Sequence, residues 1–218
     1  MSKLLRITSS ILGSHSVSSE LSGELIEALQ AGGQELEVIE RNFDAEPIPH
    51  LDGAWLGALM TPAEQRTPEQ QAKVDFSDRL IAEVRSADIL VIALPMYNFT
   101  VPSMLKAWVD HVARAGVTFK YTDKGPVGLL QGKKVYFVAT TGGDHEQKPS
   151  DFLRPYLTLI MNFLGITDIE IVSADGLNMG AEPRALGLGK ARASIVSLAN
   201  RFVKSAVAAT TAEEVAAA

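Results

Sequence analysis

The chain has 218 residues, of which 46% are hydrophobic, enough for one well-packed domain with room for insertions. A net charge of −6 argues against a nucleic-acid partner, and a charged fraction of only 21% argues against disorder. No cysteine is present, which excludes disulfides and thiolate chemistry, and His15, His50, His111 and His145 lack ligand spacing, so no metal site is expected.

The N-terminus runs from Met1-Ser2-Lys3 straight into strand-like residues without a signal-type apolar core, and no apolar run approaches the roughly 20 residues that span a bilayer. A cytoplasmic location without a membrane partner is therefore expected. A first strand is predicted over 3–9 and a helix over 18–31, with Leu21, Leu25, Ile26 and Leu29 on one face and Gly32-Gly33 at its end. Ser18 either caps that helix or contributes to a phosphate site. Residues 36–40 alternate as a second strand. A helix follows over 67–86, capped by Thr67 with Pro68 in its first turn and Ala72, Phe76, Leu80, Ile81 and Val84 along one stripe. Residues 89–94 form a continuous apolar run, the signature of a strand buried on both faces. Helix 103–115, strand 134–140, helix 151–164, strand 169–174 and helix 181–208 complete the pattern. The tail over 210–218 is expected to fray.

Five strands alternating with helices predict a single α/β domain over 1–209, a three-layer doubly wound parallel sheet with right-handed crossovers. Two strand orders fit: the flavodoxin-like 2-1-3-4-5 and a dinucleotide Rossmann order. Two long connections, 42–66 with Trp55, Leu56 and Leu59 and 116–132 with Phe119 and Tyr121, exceed what a minimal domain needs. Their aromatic content predicts a lid or a subunit interface.

In such a sheet, ligands bind beyond the carboxyl ends of the strands. The third strand ends in Pro95-Met96-Tyr97-Asn98-Phe99, which offers a planar ligand flat apolar surfaces, an amide and backbone N–H groups, as a flavin ring requires. The first strand ends in Thr8-Ser9-Ser10-Ile11-Leu12-Gly13-Ser14-His15-Ser16-Val17-Ser18, with six hydroxyl residues in eleven just before a helix. A helix N-terminus with Ser10, Ser16 and Ser18 nearby suits a terminal phosphate; the same composition also fits a capped polar loop. Neither Gly-x-x-x-x-Gly-Lys-Ser/Thr nor Gly-x-Gly-x-x-Gly occurs, so a monophosphate such as that of FMN fits better than a diphosphate. The fourth strand ends in Thr140-Thr141-Gly142-Gly143, whose glycines permit close backbone approach. His145 follows, either as a hydrogen-bond donor to a flavin or quinone oxygen or as a solvated loop residue. Arg114 and His111 are expected on a solvated helix surface. No Gly-x-Ser-x-Gly elbow is present, which speaks against an esterase.

Taken together, Ser9-Ser10 with Ser16-Val17-Ser18, Pro95-Met96-Tyr97-Asn98-Phe99, Ala113-Arg114-Ala115-Gly116-Val117-Thr118-Phe119-Lys120-Tyr121-Thr122 and Thr140-Thr141-Gly142-Gly143 resemble the bacterial FMN-dependent NADH-azoreductases, also described as FMN-dependent NADH:quinone oxidoreductases. The resemblance implies a flavodoxin-like fold and a homodimer with each FMN near the interface. It implies ping-pong transfer from NADH or NADPH to a quinone or azo compound. Carried over by position, Ser10, Ser16, Val17 and Ser18 hold the phosphate and ribityl end, Met96, Tyr97, Asn98 and Phe99 cradle the ring, and Thr140, Thr141, Gly142 and Gly143 line its pyrimidine side. Phe99, Phe119, Tyr121, Phe163 and His145 are the candidates for substrate contact. Family members often carry Ser-Arg-Gly-Gly where this chain has Thr140-Thr141-Gly142-Gly143, so the loop lacks a cation. The competing readings are an electron-carrying flavodoxin and a non-catalytic regulator.

Overall fold

The computed structural model describes residues 1–33 and 35–202 in full and follows the backbone of the last helix to Ala216. The tail expected over 210–218 lies outside the fully described residues. Five strands form one parallel sheet: β1 (Ser2–Thr8), β2 (Leu36–Asn42), β3 (Ile89–Pro95), β6 (Lys134–Thr140) and β7 (Asp168–Ala174), in the order β2-β1-β3-β6-β7. This is the flavodoxin-like order rather than the dinucleotide one. β3 is buried at every position because it sits in the middle, as its unbroken apolar run requires.

Alternate side chains of each strand feed two cores. On one face, Leu5, Leu90, Ile92 and Phe137 meet α3 (Pro68–Ser86), α4 (Ser103–Val112) and α5 (Leu153–Leu164) through Leu80, Trp108 and Leu157. On the other, Leu4, Val91, Tyr136 and Val172 meet α1 (Val17–Ala31) and α6 (Ala181–Ala216) through Leu25 and Ile195. This period-2 division of each strand is what a doubly covered sheet demands.

The helix starts show how local chemistry sets the boundaries. Thr67 caps α3 as expected, and Gln70 reaches back to the Thr67 N–H to complete a capping box. The cap of α1 is Ser16 rather than Ser18. Ser16 has extended backbone geometry and accepts the Ser19 N–H, whereas the Ser18 side chain is buried and bonds Ser16 Oγ.

The two long connections are built, not structureless. Residues 42–66 contain α2 (Gly53–Met60), capped by Asp52, which packs on α3; at eight residues it is too short to show helical periodicity. Residues 116–132 fold as an antiparallel hairpin of β4 (Phe119–Thr122) and β5 (Gly125–Gly128) docked on the end of α5. No helix among the described residues is long and apolar enough to cross a membrane.

Candidate cofactor-binding site

All five parallel strands point the same way, so the β–α loops gather at one edge. The loop after β1 is fixed by Ser9 Oγ, which donates to the Ala93 carbonyl of β3, and by Ser10 Oγ, which accepts the Leu12 N–H. The Ser16 cap satisfies Ser19, which leaves the N–H groups of Val17 and Ser18 without an intrahelical acceptor at the positive end of α1. Between this turn and the loops after β3 and β6 lies a cleft of about 300 Å³. Ser10, Ser16 and Val17 line one end of it. Met96 and Tyr97 form a wall with Pro95, and Thr140, Thr141 and Gly142 face them.

Four expected residues stand behind or beside that lining. Ser18 is buried under the cap. Asn98 and Phe99 form the tip of a closed two-residue turn, in which Tyr97 and Thr100 exchange backbone hydrogen bonds at 3.0 and 3.1 Å. Both tip residues are left-handed, with φ of 49° and 71°, the geometry of a type I′ turn that usually takes Asn and Gly. A phenylalanine there is strained and leaves its ring 53% exposed, edge-on to His145 at 5.6 Å. Gly143 lies under His145, where a Cβ would fall 2.7 Å from Nε2. His145 is itself held by Ser150 Oγ at 2.8 Å from Nδ1.

The remaining substrate candidates are elsewhere in the chain. Phe119 packs on Phe163 at 4.4 Å and on Tyr121 at 5.6 Å. Phe163 is at the far end of α5, which starts at the cleft edge and runs back over the twelve residues that lead to the start of β7. That is about 18 Å of helix, so these three rings sit at the opposite edge of the sheet from the cleft of the same chain. Tyr121 is 73% exposed there.

Two expectations of solvated helix surface are corrected. His111 is fully buried, with Nε2 2.9 Å from the Pro49 carbonyl and its ring edge-on to Trp55 and Phe76. The built α2 covers it. Arg114 is bonded to Asp78 and Ser77 on α3.

Leu177, Asn178 and Arg184 complete the cleft, and the sequence reading missed them. Their signal is present as a fourth loop, Asp175-Gly176-Leu177-Asn178-Met179-Gly180, after the last strand at the same edge. Arg184, in the first turn of α6, is a cation on the cleft rim whose Nη1 donates to the Leu177 carbonyl at 3.3 Å. Gly142 leaves room for Asn178, since a Cβ there would fall 2.7 Å from Asn178 Nδ2 and push that side chain aside. Free helix N–H groups and hydroxyls at one end, a flat apolar wall in the middle and a side-chain-free loop opposite fit a planar ring with a phosphorylated tail.

Residues 2–199 match a family described by its flavodoxin-like fold, and the chain belongs to that family. Within that fold it is a member of the FMN-dependent NADH:quinone oxidoreductases. It is 48% identical over 206 residues to the protein of that name from Herminiimonas arsenicoxydans, covering 93% of this chain and 99% of the relative. It is 50% identical over 190 residues to that of Cellvibrio japonicus, covering 87% and 96%. Among solved structures, an FMN-dependent NADH-azoreductase from Bacillus anthracis str. Ames Ancestor in complex with FMN superposes with a TM-score of 0.84 at 28% identity, covering 93% of this chain and 100% of the other.

Proposed function

We propose that this protein is an FMN-dependent oxidoreductase that takes electrons from NADH or NADPH and delivers them to quinones and azo compounds in two separate half-reactions. The single observation that carries this reading is the joining, in one cleft, of the hydroxyl-rich cap of α1 with the Pro95-Met96-Tyr97 wall and the Thr140-Thr141-Gly142 loop. Its relatives are named for NADH:quinone chemistry and its structural neighbours for azoreductase chemistry.

Bound FMN supplies the hydride chemistry itself. The protein binds and orients. The Val17 and Ser18 N–H groups and the Ser10 hydroxyl would hold the phosphate, with the Ser16 hydroxyl committed to Ser19 and shaping the turn, and Arg184 would close over it from the rim. Met96 and Tyr97 set the plane of the ring. The Thr141 N–H is taken by the Ala174 carbonyl at 3.0 Å, so the Gly142 N–H is the donor of this loop that would stabilise negative charge on the reduced ring. Phe99 and His145 stand at the mouth, where an aromatic substrate stacks.

We further read the protein as a homodimer. The exposed Tyr121 and the half-buried Phe163, too far from their own cleft and backed by the buried Phe119, are suited to wall in the cleft of a second copy. The test is anaerobic stopped-flow absorbance. The FMN-loaded protein is mixed with NADH or NADPH and then with a benzoquinone or azo dye. Rapid bleaching followed by rapid recovery is expected. Bound flavin that neither nucleotide bleaches would make the protein an electron carrier instead.

A further inference from the structure

Behind the glycine loop of the cleft lies a polar network that reading the cleft alone leaves unused. Residues 141–143 are sewn to the loop after β7 by three backbone hydrogen bonds. Gly176 donates to Gly143 at 2.8 Å, Leu177 to Thr141 at 3.1 Å and Asn178 to Gly142 at 2.8 Å. Gly142 and Gly143 have no side chain with which to be fixed, so Thr141 alone ties this stretch to its surroundings by a side chain. Its hydroxyl is 2.5 Å from the Gly143 carbonyl and 2.6 Å from Asp175 Oδ1. Of these two acceptors the Asp175 carboxylate carries the charge and so makes the stronger bond to the single hydroxyl proton.

Asp175 in turn is gripped by a buried cation. Its Oδ1 also accepts the His145 N–H at 3.3 Å, and its Oδ2 accepts from Arg154 Nη2 at 2.6 Å. Arg154 is 6% exposed in the first turn of α5. Its Nη1 donates to Asp151 Oδ2 at 2.8 Å and its Nε to Ser173 Oγ at 3.2 Å. Asp151 also accepts the N–H groups of Leu153 and Arg154 and so caps α5. Every branch of the guanidinium fork is therefore used. One branch holds the helix, one the end of β7, and one reaches through Asp175 to the loop that faces the cleft. A planar, fixed fork transmits position in a way that a flexible ammonium does not.

We propose that Arg154 is a positioning residue for the bound flavin: acting through Asp175 and Thr141, it fixes the height of the 141–143 loop against the ring. This rests on the FMN reading given above. A purely structural role for the same network would set the stability of α5 and leave the cleft indifferent.

Three variants separate the two. Thr141→Val cuts the tie while leaving the Arg154–Asp175 and Arg154–Asp151 pairs intact. Arg154→Lys keeps the charge without the fork. Arg154→Met leaves two carboxylates without their cation, so its flavin readouts are compared with those of the other two variants only after its melting has shown that it folds. Each apoprotein is titrated with FMN by fluorescence quenching. The visible spectrum and midpoint potential of the bound flavin are recorded, and melting is followed separately. For Thr141→Val we expect FMN affinity to fall about tenfold, with a shifted flavin spectrum and potential and near-native melting of the apoprotein. Arg154→Lys should move the spectrum and potential the same way by less. Wild-type affinity, spectrum and potential in Thr141→Val, with only lowered melting in the Arg154 variants, would overturn the proposal. Failure of the unaltered protein to bind FMN would instead overturn the functional reading on which it rests.

Discussion

The phenolic oxygen of Tyr97 lies 3.0 Å from Ser10 Oγ and accepts the Ile11 N–H at 3.2 Å. The loop after β3 thus holds the loop after β1 in place at the end of the cleft proposed for the phosphate. Tyr97→Phe removes both bonds and frees Ser10 from its partner. We expect roughly a fivefold weaker FMN affinity, from a loss on the order of 1 kcal/mol, with little change in apoprotein melting. Titration of the two apoproteins with FMN checks it.

Arg184 is the cation that lines the cleft near the cap of α1. If it closes over the phosphate, Arg184→Ala should weaken FMN about tenfold and leave riboflavin, which lacks the phosphate, unaffected. Equal losses for both ligands would move Arg184 to the ring end.

Phe99 holds a left-handed backbone that glycine adopts freely, and half of its ring is in solvent. Phe99→Gly should therefore stabilise the apoprotein by about 1 kcal/mol while removing the ring beside His145. The expected pattern is a higher melting temperature, near-native FMN affinity and an altered order of kcat/KM across a panel of quinones and azo dyes. Unchanged kcat/KM ratios would exclude Phe99 from substrate contact.

The hairpin is fitted to α5 through two glycines. A Cβ on Gly128 would fall 2.0 Å from the Gly165 nitrogen and 2.1 Å from the Leu164 carbonyl carbon. Gly128→Ala should lift the hairpin off the helix at a cost of about 1–3 kcal/mol. Sedimentation velocity on this variant also tests the dimer. If the hairpin lies in the interface, the variant should sediment as a smaller species than the wild type.

Burial lowers the His111 imidazole pKa, against the raising influence of the Pro49 carbonyl and of Asp110, with Arg114 lowering it further. Its Nδ1 is buried without a partner, so protonation there would place an unpaired N–H in the core. The unfolded chain therefore binds this proton more readily than the folded one. The stability contributed by neutral His111 is complete above the unfolded value of 6.5 and is lost as pH falls from there toward the folded value. Melting temperature should decline less steeply between about pH 6.5 and 5 in His111→Gln than in the wild type.

Much of this was legible in the sequence because it rests on short-range rules. The unbroken run 89–94 located the central strand, Thr67-Pro68 with Gln70 located the start of α3, and three β–α loops located the edge that carries the cleft. The misses share a physical cause. His111 reads as surface because nothing local reveals that α2, distant in sequence, folds over it. Ser18 reads as the cap because Ser16 and Ser18 are chemically alike, and only backbone geometry chooses between them. Arg184 and Asn178 follow a weaker strand whose loop has no hydroxyl or aromatic cluster. Aromatic chemistry marks Phe119 and Phe163 as candidates for substrate contact, but only the length of α5 shows that the cleft of their own chain lies at the opposite edge of the sheet.

That length has a consequence of its own. Arg154 sits at one end of α5 beside Asp175, and Phe163 sits at the other against Phe119. Each residue added to a helix advances the chain by about 1.5 Å and turns it by about 100°. A single insertion between these two positions would swing one of them off its partner unless the helix took up the extra residue as a bulge. The helix therefore acts as a gauge of fixed length between the two edges of the sheet.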